Sequence, residues 1–368
     1  MKNYHKLKKR IIYNKMNNEL QICAITWNMH GHNITNTTIE TLFSPFKSKN
    51  IDIYIISTQE CTRNIINSVF LLSDEETNEL ENKVLTYLNK DIYSLVNAES
   101  LGAIHIMLII KKSLIPNISS TGSHKTPTGI LNIIGDKGSA CVWIKYNQTT
   151  MLFINCHLSS FENNYLQQND LTRIINDIII ENANEIFDVN DIKTSSSSNS
   201  IVSNIFNTFL NKKEMNVLKG KDVIDKVDFC MLMGDFNSRS NIDHSVARAM
   251  LLSKDIDKIL YVDQLNKGIQ KGDVDMCGFI EEKIKFYPTY KVKESEETEN
   301  EGNENGYLQY LEDDDDDHVP SYTDRIFYKV RKGKGIVIDE NSKEYYSNSK
   351  VMVSDHKPVY LVMKVKVI

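Results

Sequence analysis

Eight short apolar runs, several of them ending in a polar cluster, constrain this chain more than any other feature. They are Ile22–Trp27, Ile51–Ser57, Ile104–Lys111, Ala140–Tyr146, Met151–Cys156, Val227–Met233, Arg325–Val330 and Pro358–Val367. They are rich in Ile, Val, Tyr and Phe and mostly short, which predicts strands. Between some of them, Leu80–Leu88, Leu166–Ile180 and Val246–Leu252 carry apolar residues every three or four positions, which predicts helices. Strands mixed with helices call for α/β or α+β packing. No internal repeat is present, which argues against a solenoid or propeller. No apolar run approaches the ~20 residues needed to cross a bilayer as a helix. With 368 residues, 41% of them hydrophobic, the chain can bury a sizeable core.

Charge is unevenly spread. The net charge is −6, yet Glu294–Asp317 holds seven Glu and five Asp with no Lys or Arg. Without that segment, 43 Lys and Arg face 37 Asp and Glu, a net of +6 that suits an anionic partner. Residues 1–20 form a basic extension without the apolar stretch of a secretory signal. The polar segment 187–221, with Ser195–Ser198, and the acidic segment 294–317 are read as loop insertions. What remains, 21–368, is one domain. Six scattered cysteines without a C-x-x-C spacing suit buried thiols in a reducing compartment.

The polar clusters carry the chemistry. Apolar runs lead into Trp27-Asn28-Met29-His30-Gly31, Thr58-Gln59-Glu60, Asn155-Cys156-His157-Leu158 and Gly234-Asp235-Phe236-Asn237. Ser354-Asp355-His356-Lys357-Pro358 precedes the final run. Strands of one sheet deliver their ends to a common rim, so residues distant in sequence can converge there. Taken singly, an Asn or Gly-Asp after a strand is turn chemistry, and a lone His157 is a core histidine. Together they supply what cleavage of a phosphate monoester needs. Glu60 would hold Mg²⁺, and Asp235 would align and deprotonate water. Asn28, Asn237, His157 and His356 would stabilise the developing oxyanion.

These residues resemble the inositol polyphosphate 5-phosphatase family, within the endonuclease/exonuclease/phosphatase superfamily, from about Ile22 to the C-terminus and in the family's motif order. Asn28, Glu60, Asp235/Asn237 and Asp355-His356 mark the superfamily. Gly135-Asp136-Lys137-Gly138, Pro288-Thr289-Tyr290-Lys291 and Pro320-Ser321-Tyr322-Thr323-Asp324-Arg325 point to the 5-phosphatase branch. The resemblance implies an α/β fold, a four-layer sandwich of two facing mixed β-sheets flanked by helices. It also implies Mg²⁺-dependent removal of the 5-phosphate from phosphoinositides, such as phosphatidylinositol 4,5-bisphosphate or 3,4,5-trisphosphate, or from soluble inositol polyphosphates.

By the same resemblance, Glu60 and Asn28 would serve the metal, Asp235 the attacking water, and Asn237 the water or the phosphoryl group. His356 would contact the scissile phosphate and pair with Asp324. Asp355 would lie near metal and water, and His157 would donate to a phosphate oxygen. Lys137, Tyr290, Lys291 and Arg325 would bind substrate. Ile130, Leu131, Ile133 and Ile134 are either a membrane-contacting loop or a buried strand. Tyr322 and Thr323 stand where the family carries Trp and Cys, which reads as a packing change, and Asp313–Asp317 replaces the family's basic residues before Pro320. A cytoplasmic enzyme in peripheral contact with anionic membrane, with no nucleic-acid partner, is expected. A neutral sphingomyelinase, a nuclease and an inactive phosphoinositide-binding module are the alternatives.

Overall fold

Along the first strand, alternate residues face two different cores. In Glu19–Asn28, Leu20, Ile22 and Ala24 enter one apolar cluster, while Cys23, Ile25 and Trp27 enter another. A strand buried on both faces reads as a continuous apolar run, which is why this one was visible in the sequence. The computed structural model describes residues 19–61, 74–129, 137–160, 164–181, 183–187, 217–294, 318–333 and 335–367.

In chain order the first half comprises β1 (Glu19–Asn28), α1 (Asn36–Phe43), β2 (Ile53–Gln59), α2 (Asp74–Leu88), β3 (Tyr93–Leu101), β4 (Ile104–Lys111), β5 (Ile118–Pro127), β6 (Gly138–Tyr146) and β7 (Thr149–His157). Then follow α3 (Asn164–Asp177), β8 (Ile179–Glu181), α4 (Ala183–Ile186), β9 (Val217–Lys219), α5 (Lys221–Lys226), β10 (Phe229–Asp235), α6 (His244–Leu252), α7 (Ile256–Val262) and α8 (Gln264–Lys271). The chain closes with β11 (Ile280–Glu281), β12 (Asp324–Val330), β13 (Ile336–Ile338), β14 (Glu344–Ser347) and β15 (Val359–Val367).

Two large sheets result. One has the order β13-β15-β1-β2-β4-β3, with β14 also on β15; the other runs β11-β12-β10-β7-β6-β5. At the centre of each lies a parallel pair, β1 with β2 and β7 with β10, flanked by antiparallel neighbours. The cluster between the sheets takes Ile22, Ile55 and Leu108 from the first and Phe153, Met231 and Ile326 from the second. Outside the first sheet, Ile39, Phe43 and Val84 of α1 and α2 cover Ile25, Tyr54 and Met107. Outside the second, Leu171 and Ile174 of α3 and Val223 of α5 cover Ile154, Cys156 and Leu232. This is the expected four-layer α/β sandwich.

Several boundaries differ from expectation. Leu20 is buried in β1, so the sheet begins inside the segment assigned to the extension. The helix read over Leu166–Ile180 stops at Asp177, and Ile179–Glu181 pairs with Val217–Lys219. Phe187 packs in the core, and α5 starts at Lys221, so both ends of the 187–221 segment belong to the fold. Glu294 likewise holds partners at the site described below. Residues 1–18, 188–216 and 295–317, and with them most of the extension and both insertions, lie outside the described residues, as do Ile130, Leu131, Ile133 and Ile134. All six cysteines are free thiols, five of them buried. Among the described residues no helix is long and apolar enough to cross a membrane.

Candidate active site

The face of each strand that lines the inter-sheet core changes character toward one rim. On β1 the inward series Leu20, Ile22, Ala24 continues as Thr26 and Asn28; on β2, Ile53 and Ile55 continue as Ser57 and Gln59. On β7, Met151 and Phe153 give way to Asn155 and His157; on β10, Met231 and Met233 give way to Asp235. Period-two alternation therefore sends the polar ends of both sheets into one space. Register aligns them: Asn28 lies opposite Gln59, and Asp235 lies opposite both His157 and Asp324. Beneath the site Gln59 Nε2 donates across the sheets to Asn155 Oδ1 at 2.6 Å, while Asn155 Nδ2 donates to the carbonyls of Thr58 and His105. Gln59 and Asn155 stand in the clusters picked from sequence, but their role in joining the sheets was missed. Counting by twos from the apolar positions would have found it.

Asp235 is the hub. It is 1% exposed; its Oδ2 accepts from Asn28 Nδ2 at 3.0 Å and its Oδ1 from the backbone N–H of Asn237 at 2.8 Å. The same Asn28 amide nitrogen donates to Glu60 Oε1 at 3.3 Å, while Asn28 Oδ1 accepts from the His30 N–H. Asn28 was expected as a metal ligand. Its amide nitrogen holds the two carboxylates side by side, and its oxygen, which accepts one bond from His30, keeps a second lone pair. Glu60 and Asn237 both have φ of 50°, which turns each side chain back over the strand that it follows.

His356 forms the second part. Its Nδ1 lies 2.9 Å from Asp324 Oδ2, an oxygen that also accepts from Thr289 Oγ1 at 2.6 Å and Thr323 Oγ1 at 2.8 Å. Burial alone would lower the pKa of His356, but Asp324, Asp235 and Asp355 outweigh it and raise the value to about 9. The imidazole is thus a cation at neutral pH, with Nε2 4.0 Å from Asp235 Oδ2. Trp27 Nε1 anchors the loop by donating to the His356 carbonyl.

His157 lies in the cluster, as expected. Its Nε2 lies 2.9 Å from Lys137 Nζ, and burial together with Lys137 lowers its pKa to about 3. The same nitrogen lies 3.5 Å from Asp235 Oδ2. Lys137 itself lies at the site as expected. Asp355 is also there, with burial raising its pKa and Oδ1 left without a hydrogen-bond partner.

Tyr290 is buried with its ring 4.5 Å from that of His356, and Lys291 is close enough to act electrostatically on its hydroxyl. Sequence reasoning gives Arg239 no role. Its guanidinium lies 4.2 Å from the Tyr290 ring centroid, its Nη2 donates to Asn237 Oδ1, and its buried Nη1 has no partner. Arg325, expected to bind substrate, is not in the cluster. As the neighbour of inward-facing Asp324 it points to the helix side. There it is fully buried and engages Glu281, Asp263 and Asn266. It is a structural ion-pair residue.

The donor set fits a hard divalent cation. Glu60 offers a carboxylate that is 37% exposed, beside the buried carboxylate of Asp235, and both share one amide donor. Oxygen donors with room for water are what Mg²⁺ prefers.

Comparison with known proteins follows the same line. Residues 25–362 match the model of endonuclease/exonuclease/phosphatase family 2. A polyphosphatidylinositol phosphatase of Saccharomyces cerevisiae is 27% identical over 321 residues, 86% of this chain and 24% of that protein. The phosphatidylinositol polyphosphate 5-phosphatase type IV of Homo sapiens is 26% identical over 93% of this chain and 45% of that protein. The chain thus spans less than half the length of these curated relatives. The inositol polyphosphate 5-phosphatase domain of SPsynaptojanin, solved with inositol (1,4)-bisphosphate and calcium, has a TM-score of 0.67 at 22% identity, covering 99% of this chain and 91% of that one. Cimex nitrophorin, solved as a ferrous NO complex, has a TM-score of 0.62 at 16% identity, covering 95% and 99%. One fold here carries different functions, so the side chains at the rim must carry the functional reading.

Proposed function

Since the chain belongs to endonuclease/exonuclease/phosphatase family 2, we propose that it is a phosphomonoester hydrolase that removes the 5-phosphate from phosphoinositide lipids or soluble inositol polyphosphates. One observation carries this reading: a buried carboxylate, Asp235, lies within 4.0 Å of an imidazolium fixed by a second buried carboxylate, Asp324. A hydrolase must accept a proton from water and hold a cation against phosphate within a few ångströms, and this pair does both. The alternative of an inactive binding module has no need of Asp235.

Asp235, oriented by Asn28 and the Asn237 N–H, would receive the proton of the attacking water. His356 would face a phosphoryl oxygen, its charge held by Asp324 and its ring supported by Tyr290. Lys137 would contribute a second cation, and Tyr290 with Lys291 would meet a neighbouring ring phosphate. Mg²⁺ bound by Glu60 beside Asp235 would neutralise charge on the phosphoryl group. The relatives named for polyphosphatidylinositol substrates support a lipid or inositol phosphate in this pocket. Peripheral contact with anionic membrane, from a cytoplasmic location, follows if the lipid is the substrate.

Phosphate release from a panel of inositol phosphates, phosphoinositide vesicles, sphingomyelin and single-stranded DNA tests the proposal. Release confined to 5-phosphorylated inositols, lost on chelation and restored by Mg²⁺, is expected, with Asp235→Ala as the control for contaminating phosphatase. Turnover of sphingomyelin or DNA instead, or tight binding without release, refutes it.

A further inference from the structure

Beside the catalytic cluster, two histidines and a glutamate that the reaction does not use come together. His30 and His32 flank Gly31, whose φ of 72° turns the chain so that the two rings meet edge-on at 5.9 Å. Glu294, from the far side of the rim, divides its carboxylate between them: Oε1 contacts His30 Nδ1, and Oε2 lies 3.2 Å from His32 Nε2. The three donor atoms lie within 4.8 Å of one another. A buried carboxylate lies next to this group. Asp355 is 6% exposed, its Oδ1 has no hydrogen-bond partner, and that atom lies 3.4 Å from His30 Nδ1.

We propose that His30, His32 and Glu294 form a second divalent-cation site of the Zn²⁺ class at the rim of the catalytic cluster, with water completing the coordination. Bonds of about 2.0–2.2 Å to a tetrahedral ion place neighbouring ligand atoms about 3.3 Å apart. The His32–Glu294 separation of 3.2 Å already matches that edge. Two imidazoles and a carboxylate select Zn²⁺ over Mg²⁺, which takes oxygen ligands and parts with water reluctantly. An ion there would tie the loop after Asn28 to the segment after Tyr290 and Lys291. The proposal does not depend on the phosphatase reading.

The test is titration of chelator-stripped full chain with Zn²⁺ against a chromophoric zinc indicator, in excess Mg²⁺ to fill the Glu60 side. Wild type and Glu60→Gln should each take up a tight equivalent. His32→Ala and Glu294→Gln should bind it more than about tenfold more weakly, since even outer-shell changes cost that much. His32 and Glu294 lie at the surface, and thermal melts of the variants confirm that they fold. Absence of tight Zn²⁺ in wild type, its retention in both variants, or its loss in Glu60→Gln alone overturns the proposal.

Discussion

Asp324 Oδ2 accepts from Thr289, Thr323 and His356, a density of donors that only a buried carboxylate commanding its surroundings can sustain. The linkage sign follows from His356, whose folded value of about 9 exceeds its ordinary 6.5. Its contribution to stability is full below about pH 6.5 and disappears as pH rises through about 9. His157 acts in the opposite sense: held to about 3, it costs stability as pH falls below 6.5. If activity needs the imidazolium, kcat/KM should fall above about pH 9, and in Asp324→Asn the alkaline limb should move toward neutral pH. A pH–rate profile unchanged by Asp324→Asn would separate His356 charge from turnover. Thr323 was read from sequence as a packing change. Its hydroxyl is instead one of the three bonds on Asp324, a role invisible without knowing that residues 323 and 356 are neighbours. Thr323→Val should shift the same limb by less. Arg239, joining Asn237 to Tyr290, supplies a charge-assisted bond of about 1.5–3 kcal/mol, so Arg239→Ala should lower kcat by about 10- to 100-fold with little change in melting temperature.

At the scale of elements, the strands that were legible are those buried on both faces. Ile104–Lys111 is found as expected, and the other runs shift by a few residues. Two of the missed strands, β3 and β5, lie at edges of the two sheets, where Ser, Thr and Asn replace the apolar signal; β3 is half-buried throughout, and β5 alternates between half-buried and exposed residues over most of its length. The same alternation that concentrates the site removes Arg325 from it, because adjacent residues of a strand face opposite layers. A resemblance carries motif residues over as a block, whereas the pleat separates them. Arg325→Met should therefore destabilise the fold by about 3–5 kcal/mol, leaving Glu281 and Asp263 buried without their cation. The kcat of the folded fraction should stay near wild type. Denaturant unfolding read beside active-site-normalised turnover distinguishes this from a substrate-binding role, which would raise KM without shifting the midpoint. Gly234 works at the same scale. With φ of 148°, a Cβ there would lie 1.9 Å from the Cys156 carbonyl oxygen, so Gly234→Ala should part β10 from β7 and abolish folding, along with the alignment of Asp235 and His157.

Across the whole molecule, charge is unevenly distributed along the chain. The acidic segment leaves the described fold at Glu294, against His30 and His32, and re-enters at His318, whose ring lies edge-on to Tyr290 at 6.0 Å. Both ends of the segment that carries eleven carboxylates therefore lie beside residues of the candidate site, which must admit an anion. Replacing residues 295–317 with a short Gly-Ser linker removes those eleven and no basic residue, moving the net charge from −6 to +5. Interactions of this kind act over about a Debye length and steer charged ligands by roughly 10- to 1000-fold. The shortened chain should bind anionic vesicles more tightly and show a kcat/KM at least about tenfold higher toward the more heavily phosphorylated substrates at low salt. The advantage should vanish at high salt while kcat stays constant, because nothing that touches the reacting phosphate has changed. Equal kcat/KM for the two chains at low salt would mean that the segment's charge is neutralised or held away from the site, and vesicle binding would then show which surface it serves instead.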